Sequence, residues 1–165
     1  MWATRAAALA LLALPVRALD PGRALTQYLR RAWTSDQGLP QNSVQAIAQT
    51  PDGFLWLATQ EGLARFDGVD FEVHTASSDP AFSVSNVQSL LVSSDGSLWV
   101  GTEGGGVLRR TANGFKALPI QEDVRNRSVR SLLEAPDGTV WAGTSGGLLR
   151  VSGDRLLLEV AADRL

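Results

Sequence analysis

His74 is the only histidine in this 165-residue chain, and there is no cysteine. Those two facts restrict the available chemistry. Without thiols there are no disulfides, no thiolate metal sites and no sulfur nucleophile. A single imidazole with no partnered base or nucleophile makes neither a catalytic triad nor a metal centre. His74 follows Val73 and precedes Thr75, with Glu72 nearby, and reads as a half-exposed histidine of a β-strand. Asp52, Asp95 and Asp137 suggest a ring of carboxylates, but each precedes glycine, a placement that turns favour on their own account. The glycine-rich run Thr102-Glu103-Gly104-Gly105-Gly106 lacks the Gly-Lys-Ser/Thr ending and the following helix that phosphate cradling needs, so it reads as a loop. No catalytic residue, metal ligand or cofactor is expected.

The elements that must position these residues emerge when the sequence is set against itself. Three segments, beginning at Val44, Val87 and Val129, fall into register. Trp56, Trp99 and Trp141 recur at spacings of 43 and 42 residues, as do Gly53, Gly96 and Gly138 and also Thr59, Thr102 and Thr144. An Asp-Gly pair between apolar runs marks a short hairpin. Each unit therefore predicts a meander of four strands: 44–50, 54–59, 62–66 and 70–75 in the first, 87–93, 97–102, 106–110 and 114–118 in the second, and 129–135, 139–144, 147–151 and 155–160 in the third. The second strand of each unit is almost continuously apolar, the pattern of a strand covered on both faces. Four short strands in about 42 residues match a propeller blade. The predicted fold is all-β: a partial β-propeller of three four-stranded antiparallel blades after a signal peptide, with each tryptophan filling the space between adjacent blades. Gly101 and Gly143, with Ala58 in the first unit, are small where neighbouring backbones must approach.

The pattern V-x-x-I/L, D-G, L/V-W-x-A/G-T, G-L/V-x-R and then an aromatic resembles the two-component regulator propeller repeat over residues 42–155. The lead-in Tyr28–Thr34 and Asp36–Pro40 resembles the segment that opens such sensor regions. Ala58 and the extra residue in 102–106 depart from the family pattern without threatening the fold. The resemblance implies a periplasmic input region of a histidine kinase, hybrid two-component sensor or diguanylate cyclase, with ligands that are often carbohydrate fragments. It also implies more blades, a sandwich domain, a membrane helix and a cytoplasmic output domain downstream.

Met1–Arg5, the nine-residue apolar run Ala6–Leu14 and the small residues Val16 and Ala18 form a secretory signal, with cleavage expected after Ala18. The run is too short to span a bilayer, which takes about 20 residues. The organisation expected is a signal peptide at 1–18, a lead-in at 19–41 with a latch-like strand at 28–34, and blades near 42–84, 85–126 and 127–165. The mature chain is expected in the periplasm or outside the cell. A hydrophobic content of 44% with 19% charged residues suits a folded protein. A net charge of −2 gives no general attraction for nucleic acid.

Arg65, Arg109 and Arg150 recur in the third strand of each unit and are expected to bond to the turn acids or to a neighbouring blade. Candidate ligand positions are Gln60, Glu61, Glu103 and Ser145, in the rim loops that vary between units. The function expected is a non-catalytic, extracytoplasmic ligand-sensing propeller segment whose partners are a small molecule or oligosaccharide, further blades or a dimer partner, and a membrane only through a downstream segment. The alternatives are a polysaccharide-active propeller lyase or glycosidase and a structural scaffold. Three blades do not close a ring of about four to eight. A fragment of a longer sensor is the reading preferred to completion of the ring by other chains.

Overall fold

Each Asp-Gly pair closes its hairpin in the same way. In the first unit the Gly53 amide donates to the Thr50 carbonyl at 2.8 Å, and the Thr50 amide donates to the Phe54 carbonyl at 3.1 Å. The same two bonds join Ser93, Gly96 and Ser97, and again Ala135, Gly138 and Thr139. These are three-residue loops whose last residue takes the left-handed conformation, with φ of 90°, 81° and 82° at Gly53, Gly96 and Gly138. Only glycine adopts that conformation without steric cost.

The computed structural model describes residues 31–120 and 127–161. The signal segment at 1–18 and residues 28–30 of the lead-in lie outside the described residues. Arg31–Thr34 carry no strand, and a single 3-10 turn follows at Ser35–Gln37. The compact unit that begins at Trp33 contains twelve described strands. They are β1 (Val44–Gln49), β2 (Leu55–Thr59), β3 (Gly62–Phe66), β4 (Phe71–His74), β5 (Val87–Val92), β6 (Leu98–Thr102), β7 (Gly106–Thr111), β8 (Gly114–Ala117), β9 (Val129–Glu134), β10 (Val140–Thr144), β11 (Gly147–Ser152) and β12 (Arg155–Ala161). All twelve blade strands expected from the sequence are present, whereas the described part of the expected latch-like strand, residues 31–34, is not a strand. The strands form three four-stranded sheets in sequential order, and all their pairings are antiparallel. They are three propeller blades.

The blades stack face to face, with β1, β5 and β9 side by side at the inner edge. Between blades 1 and 2 lies a core of Trp56, Ala58, Leu63, Phe82, Val87, Leu98, Val100 and Leu108. A second core between blades 2 and 3 contains Trp99, Val107, Val129, Val140, Ala142 and Leu149. Trp56 and Trp99 thus each face the blade that follows. Close approach behind it needs a small residue: a Cβ on Gly101 would stand 2.7 Å from Val129 Cγ1 of the next blade and 2.2 Å from Ser89 Oγ. Ser89 Oγ donates across the junction to the Val129 carbonyl at 3.1 Å. In blade 1 the corresponding residues are Ala58 and Ala46, which pair with each other, so the first junction has no such bond.

Trp99 is buried between two blades, whereas Trp141, on the face of blade 3 that points away from blade 2, is half-buried. Trp99→Ala is therefore expected to cost about 3–5 kcal/mol, and Trp141→Ala distinctly less, measured as the shift in urea midpoint at unchanged slope. Equal losses would show that the tryptophans do not work between blades.

Candidate functional site

The ends of the blades differ in chemistry. At the Asp-Gly end, Trp56 Nε1 donates to Thr50 Oγ1 at 3.0 Å, and Thr50 Oγ1 donates in turn to Asp52. Arg110 of blade 2 reaches back, 3.1 Å from the Asp52 carboxylate and 5.0 Å above the Trp56 ring. Blade 2 repeats the relay through Trp99 Nε1, Ser93 and Asp95, with Arg109 at 3.1 Å from the carboxylate and over the Trp99 ring. In blade 3 the hydroxyl position is Ala135, and Asp137 accepts instead from the Thr139 amide at 2.9 Å.

The in-register arginines do not share one partner. Arg65 stands opposite Glu72 and pairs with it at 2.6 Å. Arg109 stands opposite Lys116, a like charge that disfavours the same arrangement. It turns to Asp95, and Lys116 pairs with Asp154 of blade 3 at 2.7 Å. Arg150 pairs with Glu159 at 2.6 Å. The cation that reaches the turn acid of the neighbouring blade is Arg110, one residue beyond the repeated position. These groups are engaged with one another, and Asp95, Arg109 and Arg110 also line open cavities at this end.

His74 is drawn further into the junction than a half-exposed strand residue. Its ring stacks near Trp56 and Phe82, with Phe115 edge-on at 5.1 Å. Its Nδ1 lies 3.5 Å from Asp79 and its Nε2 3.9 Å from Glu72.

The opposite end is a rim of carboxamides, hydroxyls and a few charges. Each inner strand carries a β-bulge at its start, at Gln45, Gln88 and Arg130, where the pairing register skips one residue. A bulge leaves its extra residue outside the ladder and re-aims the side chain. Gln45 Nε2 donates to Asn86 Oδ1 across the first junction at 3.5 Å, and Asn86 Nδ2 donates to Glu103. Gln41 Nε2 donates to Gln60 Oε1 at 3.2 Å, and Arg130 Nε donates to Ser145 Oγ at 3.2 Å. Gln88 Oε1 is buried with no hydrogen-bond donor among the described residues.

Of the rim positions expected from the sequence, Gln60, Glu103 and Ser145 belong to this array. Glu61 is exposed in the same turn as Gln60, with its amide donating to Thr59 Oγ1. Thr59, Thr102 and Thr144 staple the rim turns by donating to the Gly62, Gly106 and Gly147 carbonyls at 2.8, 2.9 and 2.7 Å. Sequence reasoning missed Gln41, Gln45, Asn86, Gln88 and Arg130. A signal was present: the residue after each in-register valine is polar in all three units.

The two-component regulator propeller family matches residues 38–61, 81–104 and 123–146. The chain is similar to the extracellular domain of the putative one-component system BT4673 from B. thetaiotaomicron, with 27% identity over 86% of this chain and 20% of that one, at a TM-score of 0.66. It is also similar to the extracellular domain of the putative hybrid two-component system BT3049 from the same organism, with 24% identity over 73% of this chain and 17% of that one, at 0.60. Virginiamycin B lyase from Staphylococcus aureus shares the fold at 18% identity, over 72% of this chain and 42% of the lyase, at 0.52. The chain spans about a fifth of the length of the extracellular domains. No curated protein matches it.

The Asp-Gly end has a pH signature. The Thr50 hydroxyl, with help from Arg110, holds the Asp52 carboxyl below its ordinary value of 3.8, and the Ser93 hydroxyl does the same for Asp95. A carboxyl lowered on folding contributes stability above its unfolded value that is lost as pH falls through the folded value. Asp52→Asn is expected to cost less than about 1 kcal/mol at pH 7, as partly exposed pairs do. The difference from wild type should vanish in acid below the folded value. A difference that persists there, measured by urea unfolding, would show that the Asp52 charge is not its source.

Proposed function

Since the chain is built from two-component regulator propeller repeats, we propose that it is an extracytoplasmic ligand-sensing segment of a bacterial signalling protein, non-catalytic in itself. The ligand engages the bulged rim of the inner strands. The observation that carries the reading is the recurrence of a bulge at one end of all three blades, with Gln45, Gln88 and Arg130 aimed out of their ladders. Bulges that recur at the end of a sheet are a device for aiming side chains. The array around them mixes carboxamides, hydroxyls and the carboxylate of Glu103, the groups that bind the alternating donors and acceptors of a polyhydroxylated ligand. Gln88 is half-buried at the rim and its Oε1 has no donor among the described residues, an acceptor that a ligand hydroxyl can use once the side chain turns outward. An oligosaccharide is the ligand class that fits. A signal peptide over residues 1–18 delivers the segment to the periplasm or beyond.

The likeness to virginiamycin B lyase supports a second reading, an enzyme of lyase type. The nearest approach to acid-base chemistry among the described residues is His74 with Asp79, at the blade 1–2 junction and packed by aromatic rings.

Thermal unfolding of the chain against a panel of oligosaccharides separates the readings. A bound ligand at about 100 times its Kd stabilises by about 2.7 kcal/mol. Sensing predicts such a rise with an intact sugar, and its loss in Gln88→Ala and Glu103→Gln. Turnover of the sugar that is abolished by His74→Ala would overturn the non-catalytic reading. A shift that both rim variants retain would overturn the placement of the ligand.

A further inference from the structure

Blade 2 departs from its neighbours at one cross-strand position, and the departure gathers positive charge. In blade 1 the repeated arginine, Arg65, stands opposite Glu72 and pairs with it at 2.6 Å. In blade 3 Arg150 finds Glu159 of its own blade at 2.6 Å. In blade 2 the residue opposite Arg109 is Lys116. Like charges directly opposite one another in a sheet are destabilising, and Glu72 in blade 1 shows that a blade can be built without the conflict. The pair faces blade 3: Arg109 lies over the Trp99 ring, and Lys116 reaches Asp154.

A cavity of about 390 Å³ opens beside these two cations, lined by Arg109, Arg110, Thr111, Lys116, Leu118 and Asp154. Its charged lining is three cations and one carboxylate. Arg109 uses Nε and Nη2 on Ser97 and Asp95, and its Nη1 makes no hydrogen bond among the described residues. Lys116 Nζ donates to Asp154 Oδ2 at 2.7 Å, one bond for an ammonium that carries three donors. Asp154 marks where the fields of the cations meet. Its carboxyl is held below the ordinary value of 3.8, first by the hydrogen bond from Lys116 and less strongly by the charge of Arg109. The Asp154 side chain is also 74% exposed, and an ion pair so exposed contributes little to stability. A better-matched anion displaces it at small cost.

We propose that this cavity is an oxyanion site, which takes the carboxylate, sulfate or phosphate group of a small ligand between Arg109 and Lys116 in place of Asp154. The guanidinium is held by Ser97, Asp95 and the Trp99 ring, so it offers donors in a fixed plane. The ammonium adds a point charge on a flexible stem. The volume lies within the range of about 300–1,000 Å³ usual for small-molecule pockets. The site stands at the Asp-Gly end, opposite the rim, and does not depend on a sugar binding there.

The test titrates the full chain with sulfate, phosphate and acetate, each against chloride at equal ionic strength, and follows the amide resonances of Thr111 and Lys116 by NMR. Saturable shifts with at least one anion are expected, and the anion that binds most tightly identifies the group the site takes. Lys116→Glu rebuilds in blade 2 the arrangement of Arg65 and Glu72, so it should keep the wild-type urea midpoint and lose the binding. Asp154→Asn removes the competing carboxylate and should tighten binding about two- to fivefold; it carries the test alone if Lys116→Glu does not fold. The rim variants Gln88→Ala and Glu103→Gln should bind the anions as wild type does, which separates failure here from failure at the rim. No saturable shift with any of the three anions, binding that Lys116→Glu keeps, or binding that Asp154→Asn fails to tighten would overturn the proposal.

Discussion

Everything in this fold depends on the packing of each blade's tryptophan face against the apolar face of the blade that follows. A four-stranded sheet of this size cannot bury its own apolar residues. The second strands show the consequence directly: β6 is buried at all five positions because blade 2 has a neighbour on each side, while β2 and β10 alternate between buried and half-buried. Close approach requires that the residue behind the tryptophan be small. Gly101 meets that requirement to the point that an added methyl would overlap the next blade.

The rim inherits its geometry from that stacking. Because the inner strands are held side by side, the bulges at Gln45, Gln88 and Arg130 converge at one end, and the turns of Gln60, Glu103 and Ser145 stand beside them. The opposite end is occupied by the Trp–hydroxyl–Asp–Arg relays, which tie the indole nitrogens to the hairpin loops and, through Arg110, tie blade 2 to blade 1. One end thus holds the relays, and at the other the rim side chains bond to one another, leaving Gln88 Oε1 without a donor among the described residues.

Much of this was legible in the sequence. Asp-Gly pairs and apolar second strands repeated about every 42 residues located all twelve strands, because turn chemistry and burial act locally and leave marks in residue type. The ion pairs were less legible. Arg65, Arg109 and Arg150 occupy equivalent positions, yet their partners follow from the residue across the strand, Glu72 in one case and Lys116 in another. The rim was read through its turns, and the bulged residues were missed. A bulge is a property of pairing between strands, and a single strand's pattern does not display it. His74 was read as a strand residue with a half-exposed side chain. Its aromatic neighbours Phe82 and Phe115 come from a linker and another blade, which no local window contains.

The stacking of blades rests on direct contact between Gly101 and Val129 across the blade 2–3 junction. A double-mutant cycle with Gly101→Val and Val129→Ala measures it. Overpacking at Gly101 costs about 1–3 kcal/mol, and removing Val129's methyl groups should relieve part of that loss. A coupling energy of about 0.5–3 kcal/mol is then predicted, with the double variant more stable than the sum of the single changes. Additive losses would contradict the account, because they would mean that the two residues do not share the space between the blades.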